Sequence, residues 1–343
     1  MVTKLSIVIL NWNGRDMLKR FLPTVIKYSQ HEGIEIVVAD NHSSDDSLSV
    51  MQEKFPGIRL IKLNHNFGFA KGYNLALKQI EAEYYLLLNS DVEVTDGWLI
   101  PLLGYMAHHP KVAACQPKLL SYKDRDSFEY AGACGGYMDK YGYMYCRGRV
   151  MNTIEKDEGQ YESLESIFWA TGACLMIRSA DYWTAGGLDD DFFAHQEEID
   201  LCWRLRSRNR KIVCIPESVV YHIGGATLDK SNPYKTYLNF RNNLLMLYKN
   251  LPERELDHVM RVRYWLDMLA TLMFIVQGKI GDAKAVVKAR KDFSKIKSKF
   301  LYKRVDNLHE ASLEDIPERH KFSLIWNYYV KQKKSYSDLS ELG

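Results

Sequence analysis

The chain has 343 residues, which is enough for one large α/β domain and an appendage. Its hydrophobic content of 46% excludes a globally disordered protein, and a net charge of +3 is too small to indicate a nucleic-acid partner. The first apolar run, residues 5–10, is too short for a signal-peptide core and predicts a first strand.

The first 120 residues alternate strand-like and helix-like patterns, which predicts a mostly parallel sheet with helices on both faces. The strands are predicted at residues 5–10, 34–40, 58–63, 84–88 and 112–116. Polar residues follow each of the first four strands, so they lie along one edge of the sheet, where such folds bind nucleotides. No G-x-G-x-x-G follows the first strand and no P-loop occurs, which excludes those two phosphate cradles.

Several residues at that edge are candidates for donor binding. Asp40 ends the second strand, with Asn11 on the neighbouring strand end and Asp45 close by, and this grouping favours a base or ribose site. Asp91 follows an apolar strand and suits a divalent cation, although a role as a helix cap is the simpler interpretation of this stretch alone. Gly68 and Gly72 either admit a phosphate or relieve strain in a turn.

The second half is less regular. Residues 121–165 are predicted to form turns with short strands or a mobile loop, residues 167–178 a strand with a bulge, and residues 212–215 a last strand. A helix from about residue 195 to 206 carries Glu197, Glu198 and Asp200 in its first turn. These acids complement the helix dipole, or one of them is a base whose pKa is raised by burial and like charge. His222 in isolation is more typical of a core or loop histidine than of a ligand.

The cysteines show no C-x-x-C pair and no zinc-type spacing, so the favoured interpretation is reduced, buried thiols in a cytosolic protein. In the C-terminal third, a helix is predicted over residues 237–250. The apolar segment 264–276 is shorter than the ~20 residues needed to span a bilayer. Residues 279–304 then carry ten Lys or Arg against two Asp. This basic run is either a solvated face or a surface that docks on anionic lipid, whereas the absence of a DNA-binding motif argues against nucleic acid.

Taken together, six ordered motifs resemble the inverting family-2 glycosyltransferases of the GT-A type, especially bacterial rhamnosyltransferase-like and galactofuranosyltransferase-like members. The resemblance extends to about Gly225. Its motifs are Ser6-Ile7-Val8-Ile9-Leu10-Asn11, Val38-Ala39-Asp40-Asn41-His42-Ser43-Ser44-Asp45, Asn64-His65-Asn66-Phe67-Gly68-Phe69-Ala70, Leu88-Asn89-Ser90-Asp91-Val92, the 197–204 helix and His222.

The resemblance implies a GT-A, Rossmann-like sheet and a C-terminal helical extension. The expected catalytic domain covers residues 1–228, with a nucleotide-binding half at 1–120 and an acceptor half at 121–228. The expected extension covers residues 229–343 and is helical and basic. The implied activity is metal-dependent, inverting transfer of a sugar from a nucleoside-diphosphate sugar to a saccharide or lipid-linked saccharide in cell-surface polysaccharide synthesis. A nucleotidyltransferase and a non-catalytic sugar-nucleotide-binding protein are the alternatives.

The resemblance also implies roles for single residues. Asp91 and His222 are expected to bind Mn²⁺ or Mg²⁺, and the base is expected to be Glu198, with Glu197 and Asp200 as alternatives. Two departures from the family pattern stand out: Asn89 replaces the first acid of D-x-D, and Glu197-Glu198 replaces Glu-Asp. The donor and the edge of the acceptor pocket are expected to contact Asn11, Asp40, Ser43, Asp45, Asn66, Gly68, Asn89, Ser90, Gly172 and Ala173.

Overall fold

A computed structural model describes residues 3–224, 232–313 and 315–340 and contains two β-sheets. The predicted domain boundary at residue 228 lies outside the described residues. The strands are β1 (Thr3–Asn11), β2 (Ile34–Asp40), β3 (Arg59–Lys62), β4 (Ala82–Leu88), β5 (Val92–Val94), β6 (Val112–Ser121), β7 (Gly136–Asp139), β8 (Met144–Cys146), β9 (Arg149–Val150), β10 (Thr153–Ile154), β11 (Glu165–Ser166), β12 (Cys174–Arg178), β13 (Lys211–His222) and β14 (Arg319–His320).

The α-helices cover the sheets and make up most of the last third. They are α1 (Arg15–Tyr28), α2 (Ser47–Lys54), α3 (Gly68–Leu77), α4 (Leu99–His108), α5 (Ser179–Thr184), α6 (Glu197–Ser207), α7 (Pro233–Asn250), α8 (Glu253–Val276), α9 (Ile280–Ile296), α10 (Leu301–Glu310), α11 (Leu324–Tyr329) and α12 (Tyr336–Ser340).

The large sheet has the strand order β11-β13-β6-β12-β4-β1-β2-β3, with β5 paired to β13. Strands β3, β2, β1 and β4 are parallel, whereas β12 runs antiparallel to both β4 and β6. Alternate residues of β1 enter separate cores: Val8 packs on the side of α3, and Ile7 and Ile9 pack on the side of α1 and α4. The continuous apolar run of β1 is therefore buried on both faces, and the predicted mostly parallel sheet is confirmed.

Two predictions of strand length need correction. β6 and β13 are longer than residues 112–116 and 212–215, because they pair with each other as far as Ser121 and His222. The predicted strand over residues 167–178 is wrong in its first half. Only β12 belongs to the large sheet there, and Trp169 instead forms an isolated bridge to Gly136 in β7.

The segment 121–165 forms short strands, as one of the two interpretations predicted. They build a second sheet of order β10-β9-β8-β7-β14. Its last member, β14, comes from the C-terminal third and pairs in parallel with β7. The buried Asp139 at the end of β7 accepts a hydrogen bond from Leu324 N at 2.7 Å. Part of the last third of the chain is thus built into the sheet that segment 121–165 forms.

The C-terminal helices also pack on the rest of the chain through ion pairs, most of them buried. Lys249 in α7 donates to Asp200 at 2.9 Å, and Lys303 in α10 donates to Asp189 at 2.6 Å and to Asp191 at 2.7 Å. All six cysteines are free and buried. Among the helices of the described residues, none combines the length and apolar character that crossing a bilayer requires.

Candidate active site

The carboxyl ends of β1 and β2 bring together the four residues predicted to bind the nucleoside base of the donor. Asn11 Nδ2 donates to Asp40 Oδ1 at 3.1 Å and to Ser43 Oγ at 3.2 Å. Ser43 N donates to Asp40 Oδ2 at 3.0 Å, and Arg15 N donates to Asp45 Oδ2 at 3.0 Å. Parallel strands end at the same edge, so two loops far apart in sequence share one hydrogen-bonded network.

Asn13 belongs to the same network, although it was not among the predicted site residues. Its Oδ1 accepts hydrogen bonds from Ser44 N at 2.7 Å and Asp45 N at 3.3 Å, which ties the loop after β1 to the loop after β2. The backbone of Asn13 is left-handed, with φ of 52°. Asn tolerates this conformation better than most residues, so the Asn13-Gly14 pair is the sequence signal that could have identified it.

The third loop, before α3, is fixed by Asn41. Asn41 Nδ2 donates to Asn66 Oδ1 at 3.1 Å and to Gly68 O at 3.0 Å, and Asn41 Oδ1 accepts from Phe67 N at 3.0 Å. Gly68 has φ of 75°, and a Cβ there would lie 2.5 Å from the Phe193 ring. Of the two interpretations left open for Gly68, the structure favours a strained turn with close packing.

The end of β4 meets the end of β13 at a buried charge cluster. His222 Nε2 lies 3.1 Å from Asp91 Oδ1, and His222 Nδ1 lies 3.4 Å from Glu129 Oε1. Burial alone would lower the pKa of His222, but the carboxylates of Glu129 and Asp91 raise it to about 10. Burial would raise the pKa of Asp91, but the His222 imidazolium holds it below its ordinary value.

Glu129 is a further residue that sequence reasoning missed. It lies in the aperiodic segment 121–165, and no local pattern sets it apart from the other acids there. Only the pairing of β6 with β13 brings it to His222. A carboxylate on the second nitrogen of a metal-binding histidine is the common way to orient such a ring.

The donor atoms of Asp91 and His222 fit a divalent cation. Asp91 Oδ1 and His222 Nε2 lie 3.1 Å apart, and once His222 loses its proton these two atoms would hold a divalent cation between them. Residues 3–224, 232–313 and 315–340 contain no cluster of three or more acids, histidines or cysteines able to hold a metal. The protein would therefore supply two ligands, and diphosphate oxygens and water would complete the shell.

The predicted base lies at the start of α6. Glu197 is buried and Glu198 is partly buried, and Oε2 of each carboxylate has no hydrogen-bond partner among the described residues. Burial raises the pKa of Glu198 to about 7. Hydrogen bonds from the backbone N–H groups of Glu198, Ile199 and Gly172 lower this pKa but do not outweigh burial. Burial, reinforced by the Glu198 carboxylate, raises the pKa of Glu197 well above its ordinary value. A carboxylate poised near neutral pH suits proton abstraction.

Asp200, the third candidate, has a different environment. Its carboxylate is fully buried and accepts hydrogen bonds from Arg204 Nε at 3.0 Å, Lys249 Nζ at 2.9 Å and Asn250 Nδ2 at 2.8 Å. These contacts leave no free face for an acceptor hydroxyl. The geometry favours Glu198 over Asp200 and gives Asp200 a role in anchoring α7 to α6.

The remaining predicted residues lie between the strand ends and α6. Asn89 N donates to Ala173 O at 2.9 Å. A Cβ on Gly172 would lie 3.3 Å from the Phe69 ring and 3.7 Å from Glu198 Cβ, so Gly172 separates α3 from the predicted base. Ser90 lies on the loop after β4, facing the loop after β1: a Cβ on Gly14 would lie 3.4 Å from Ser90 Oγ.

Known proteins share this fold and parts of this sequence. The chain is 27% identical over 222 residues to the O-antigen biosynthesis protein RfbC of Myxococcus xanthus, covering 64% of this chain but 17% of RfbC. It is 24% identical over 240 residues to an N-acetylglucosaminyl-diphospho-decaprenol L-rhamnosyltransferase of Mycobacterium tuberculosis, covering 65% of this chain and 76% of that protein.

Solved structures show the same fold at lower identity. GalNAc-T7 with UDP, GalNAc and Mn²⁺ superposes with a TM-score of 0.59 at 14% identity, covering 89% of this chain and 57% of that one. S. aureus TarS 1–349 in complex with UDP-GlcNAc gives 0.56 at 17% identity, covering 90% and 89%. The family model described as glycosyl transferase family 2 matches residues 6–186, more than half of the chain. The protein therefore belongs to glycosyl transferase family 2.

Proposed function

We propose that this protein is an inverting glycosyltransferase that transfers a sugar from a nucleoside-diphosphate sugar to a saccharide or lipid-linked saccharide in cell-surface polysaccharide synthesis. One observation carries the proposal. The partly buried carboxylate of Glu198, with its pKa raised to about 7, packs against Gly172, and the next residue, Ala173, accepts a hydrogen bond from Asn89 N, two residues before the Asp91 that pairs with His222. This arrangement offers a proton acceptor and a site for a cation with its diphosphate.

In this mechanism Glu198 removes the proton from the acceptor hydroxyl as its oxygen attacks the anomeric carbon. The network of Asn11, Asp40 and Ser43 orients the nucleoside. A divalent cation on Asp91 and His222 would neutralise the charge that develops on the diphosphate when the bond to the sugar breaks. A single displacement inverts the anomeric configuration, so one base is sufficient.

The donor and acceptor classes rest on the relatives. The solved structures named above contain UDP or UDP-GlcNAc, and one also contains Mn²⁺. The mycobacterial relative is named for a decaprenol-linked diphosphate acceptor. We extend these classes, a nucleoside-diphosphate sugar and a polyprenyl-linked saccharide, to this chain.

The test is a panel of nucleoside-diphosphate sugars with Mn²⁺ or Mg²⁺, assayed for release of the nucleoside diphosphate with and without a polyprenyl-diphosphate saccharide. The proposal requires at least one donor to be turned over with metal, and the product to carry the opposite anomeric configuration. Retention of configuration by NMR would refute the single displacement. Failure of every donor, together with tight binding of nucleoside diphosphate, would favour the non-catalytic alternative.

A cytoplasmic location at the membrane surface is part of the proposal. It rests on the end of α8, where a charged residue faces inward and apolar residues face outward, the reverse of an ordinary surface helix. Its polar residue Asp267 points inward, fully buried, and pairs with Arg263 and Arg290. Its outward face is apolar. Trp265, at 72% exposure, begins a stripe at helical spacing that Leu269 and Leu272 continue and Val276, at 80% exposure, ends.

The basic run beside α8 is divided between two roles. Arg290, Lys303 and Arg304 are paired with acids on other elements, so part of the run braces the structure, whereas Lys288 is exposed and pairs with Asp292 in its own helix. The others are exposed, and they are Lys279, Lys284, Lys291, Lys295, Lys297 and Lys299. Exposed lysines beside an apolar stripe suit an anionic leaflet, where each contributes about 1 kcal/mol at low salt.

Liposome flotation of the full chain tests this surface. Truncation is unsuitable because α9 and α10 pack on α7, so the test uses Trp265→Glu with Leu272→Glu. Binding should require anionic lipid, weaken at high salt and disappear in the double variant. The control is Trp326→Ala, which removes an exposed tryptophan from α11. If the unmodified chain does not float with liposomes whatever their charge, the membrane surface is refuted and the C-terminal helices serve only to stabilise the fold.

A further inference from the structure

Residues 192–196 connect a short 3₁₀ turn to α6 and directly precede the predicted base. Phe193, His195 and Gln196 have φ of 65°, 71° and 74°, although none of them is glycine. Left-handed backbone at three of four consecutive non-glycine positions is unfavourable and persists only where the surroundings impose it. The segment, named here the base loop, therefore needs an external restraint.

That restraint comes from two neighbouring side chains of α7. Arg241 donates to Asp191 O at 3.2 Å and to Phe192 O at 3.1 Å, and the Asn242 amide contacts the loop as well. Asn242 Nδ2 donates to three carbonyl oxygens of the base loop, those of Phe192 at 2.9 Å, Ala194 at 2.9 Å and His195 at 2.8 Å. Asn242 is fully buried. Arg241 Nε donates to Asn242 Oδ1 at 2.9 Å, which fixes which end of the amide faces the loop.

The opposite side of the base loop is held by the donor half. Phe193 O accepts hydrogen bonds from Phe69 N at 2.6 Å and Ala70 N at 3.2 Å, in the first turn of α3. That turn begins at Gly68, next to the loop fixed by Asn41. The base loop is thus clamped between α7 on one side and α3 on the other, and its last residue, Gln196, immediately precedes α6.

We propose that Asn242 is a positioning residue for catalysis, which sets the place of Glu198 by holding the base loop against the first turn of α3. The inference rests on the proposed role of Glu198 as base. It gives the C-terminal extension a part in the reaction that does not require contact with either substrate. A small displacement of a reacting group is enough to reduce a rate about 10²-fold.

The test compares Asn242→Ala and Asn242→Asp with Asn239→Ala, using the donor that the panel identifies. Asn239 lies one turn earlier in α7 and, within the described residues, its side chain donates to Lys235 O in its own helix and to no residue of the base loop, so it is the matched control. We expect kcat to fall about 10-fold or more in both Asn242 variants. We expect the calorimetric Kd for nucleoside diphosphate to change by less than about threefold, because the network of Asn11, Asp40 and Ser43 has no hydrogen bond to Asn242 or to the base loop in the described part of the chain. Asn242→Asp should be at least as damaging, since it places an oxygen against three carbonyl oxygens.

Hydrogen exchange supplies a second readout. Exchange at the amides of Phe69 and Ala70 should accelerate in Asn242→Ala, because Phe193 O no longer holds its place. If Asn242→Ala does not fold, Arg241→Lys replaces it, since Arg241 is only partly buried, orients the same amide and itself donates to Phe192 O in the base loop.

The possible failures are distinguishable. A lower melting temperature with unchanged kcat and unchanged exchange at residues 69–70 would overturn the positioning role and leave the proposed function intact. Full activity of Glu198→Gln would instead remove the base on which the inference rests.

Discussion

The two halves of the site are built in opposite ways. On the donor half, Asn11 and Asp40 end β1 and β2, and with Ser43 in the following loop they hydrogen-bond one another within 3.2 Å, which leaves Asn11 Oδ1 without a partner among the described residues. On the base half, Glu197 and Glu198 each retain a buried oxygen without a partner in the described part of the chain, and the loop before them is strained.

The difference reflects the two tasks proposed for the site, which are binding the donor and accepting a proton. Side chains that hydrogen-bond one another hold their shape with little external support, and in the proposed function this network is a preformed site for the nucleoside. A carboxylate that must exchange a proton has to remain incompletely paired, which destabilises the fold locally. The base half therefore depends on support from α7 and α10, where Lys249 and Lys303 reach its acids.

The largest expected effect is on the base half. Glu198→Gln keeps the size of the side chain but removes the proton acceptor, so transfer should fall about 10²–10⁴-fold while donor binding persists. Steady-state kinetics and calorimetry with the same donor measure the two quantities. If Glu197→Gln is the more damaging change and Glu198→Gln is nearly active, the roles of the two neighbours are exchanged.

The next effect falls at the cation site between the halves. Asp91→Ala should remove the Mn²⁺-dependent part of nucleoside diphosphate binding, about 10²-fold in affinity, because the cation loses its only protein carboxylate among the residues assigned to it. Calorimetry with and without Mn²⁺ gives the difference. Asp96→Ala, an exposed acid four residues from the end of this motif, serves as the control. Equal metal dependence in both variants would reject the assignment.

A smaller effect is expected one step further from the cation. Glu129→Gln keeps a polar group beside His222 Nδ1 but removes the charge, so Mn²⁺ affinity should fall about 10-fold, within the range for residues that orient a ligand. Titration with Mn²⁺ in the presence of nucleoside diphosphate tests this. An unchanged affinity would make Glu129 a structural partner of the loop that contains Ala131, whose N–H it accepts at 2.6 Å.

The smallest expected effect is on the free energy of unfolding, and it depends on pH. The pKa of Glu198 is raised by folding, so its contribution to stability is present below pH 4.5 and is lost as the pH rises through about 7. Glu198→Gln should therefore raise the free energy of unfolding at pH 8, by the order of 1 kcal/mol, and change it little at pH 4. Denaturant unfolding at both pH values measures this. A loss of stability at pH 8 would contradict the burial of a charged base. The same ionisation should make the transfer rate rise with pH through about 7.

Several features were determined by the sequence alone. Apolar runs that end in polar residues identified β1, β2 and β4 and placed Asn11, Asp40 and Asp91 at one edge, because a strand buried on both faces leaves a local, continuous signal. The motifs were sufficient to identify the family, and the positions of the acids in the first turn of α6 could be read from the sequence. These features depend on residues close together along the chain.

Tertiary structure decided the rest. The pairing of β6 with β13 brings Glu129 to His222 across 93 residues, β12 inserts antiparallel between β4 and β6, and β14 joins a sheet about 180 residues earlier in the chain. Asp200 has the same spacing signal as Glu198, yet only the packing of Lys249 and Asn250 against it shows that it is an anchor. Asn242 carries no signal of its own, since its role exists only where α7 meets the base loop. Such contacts depend on which surfaces meet in three dimensions, and local sequence does not encode that.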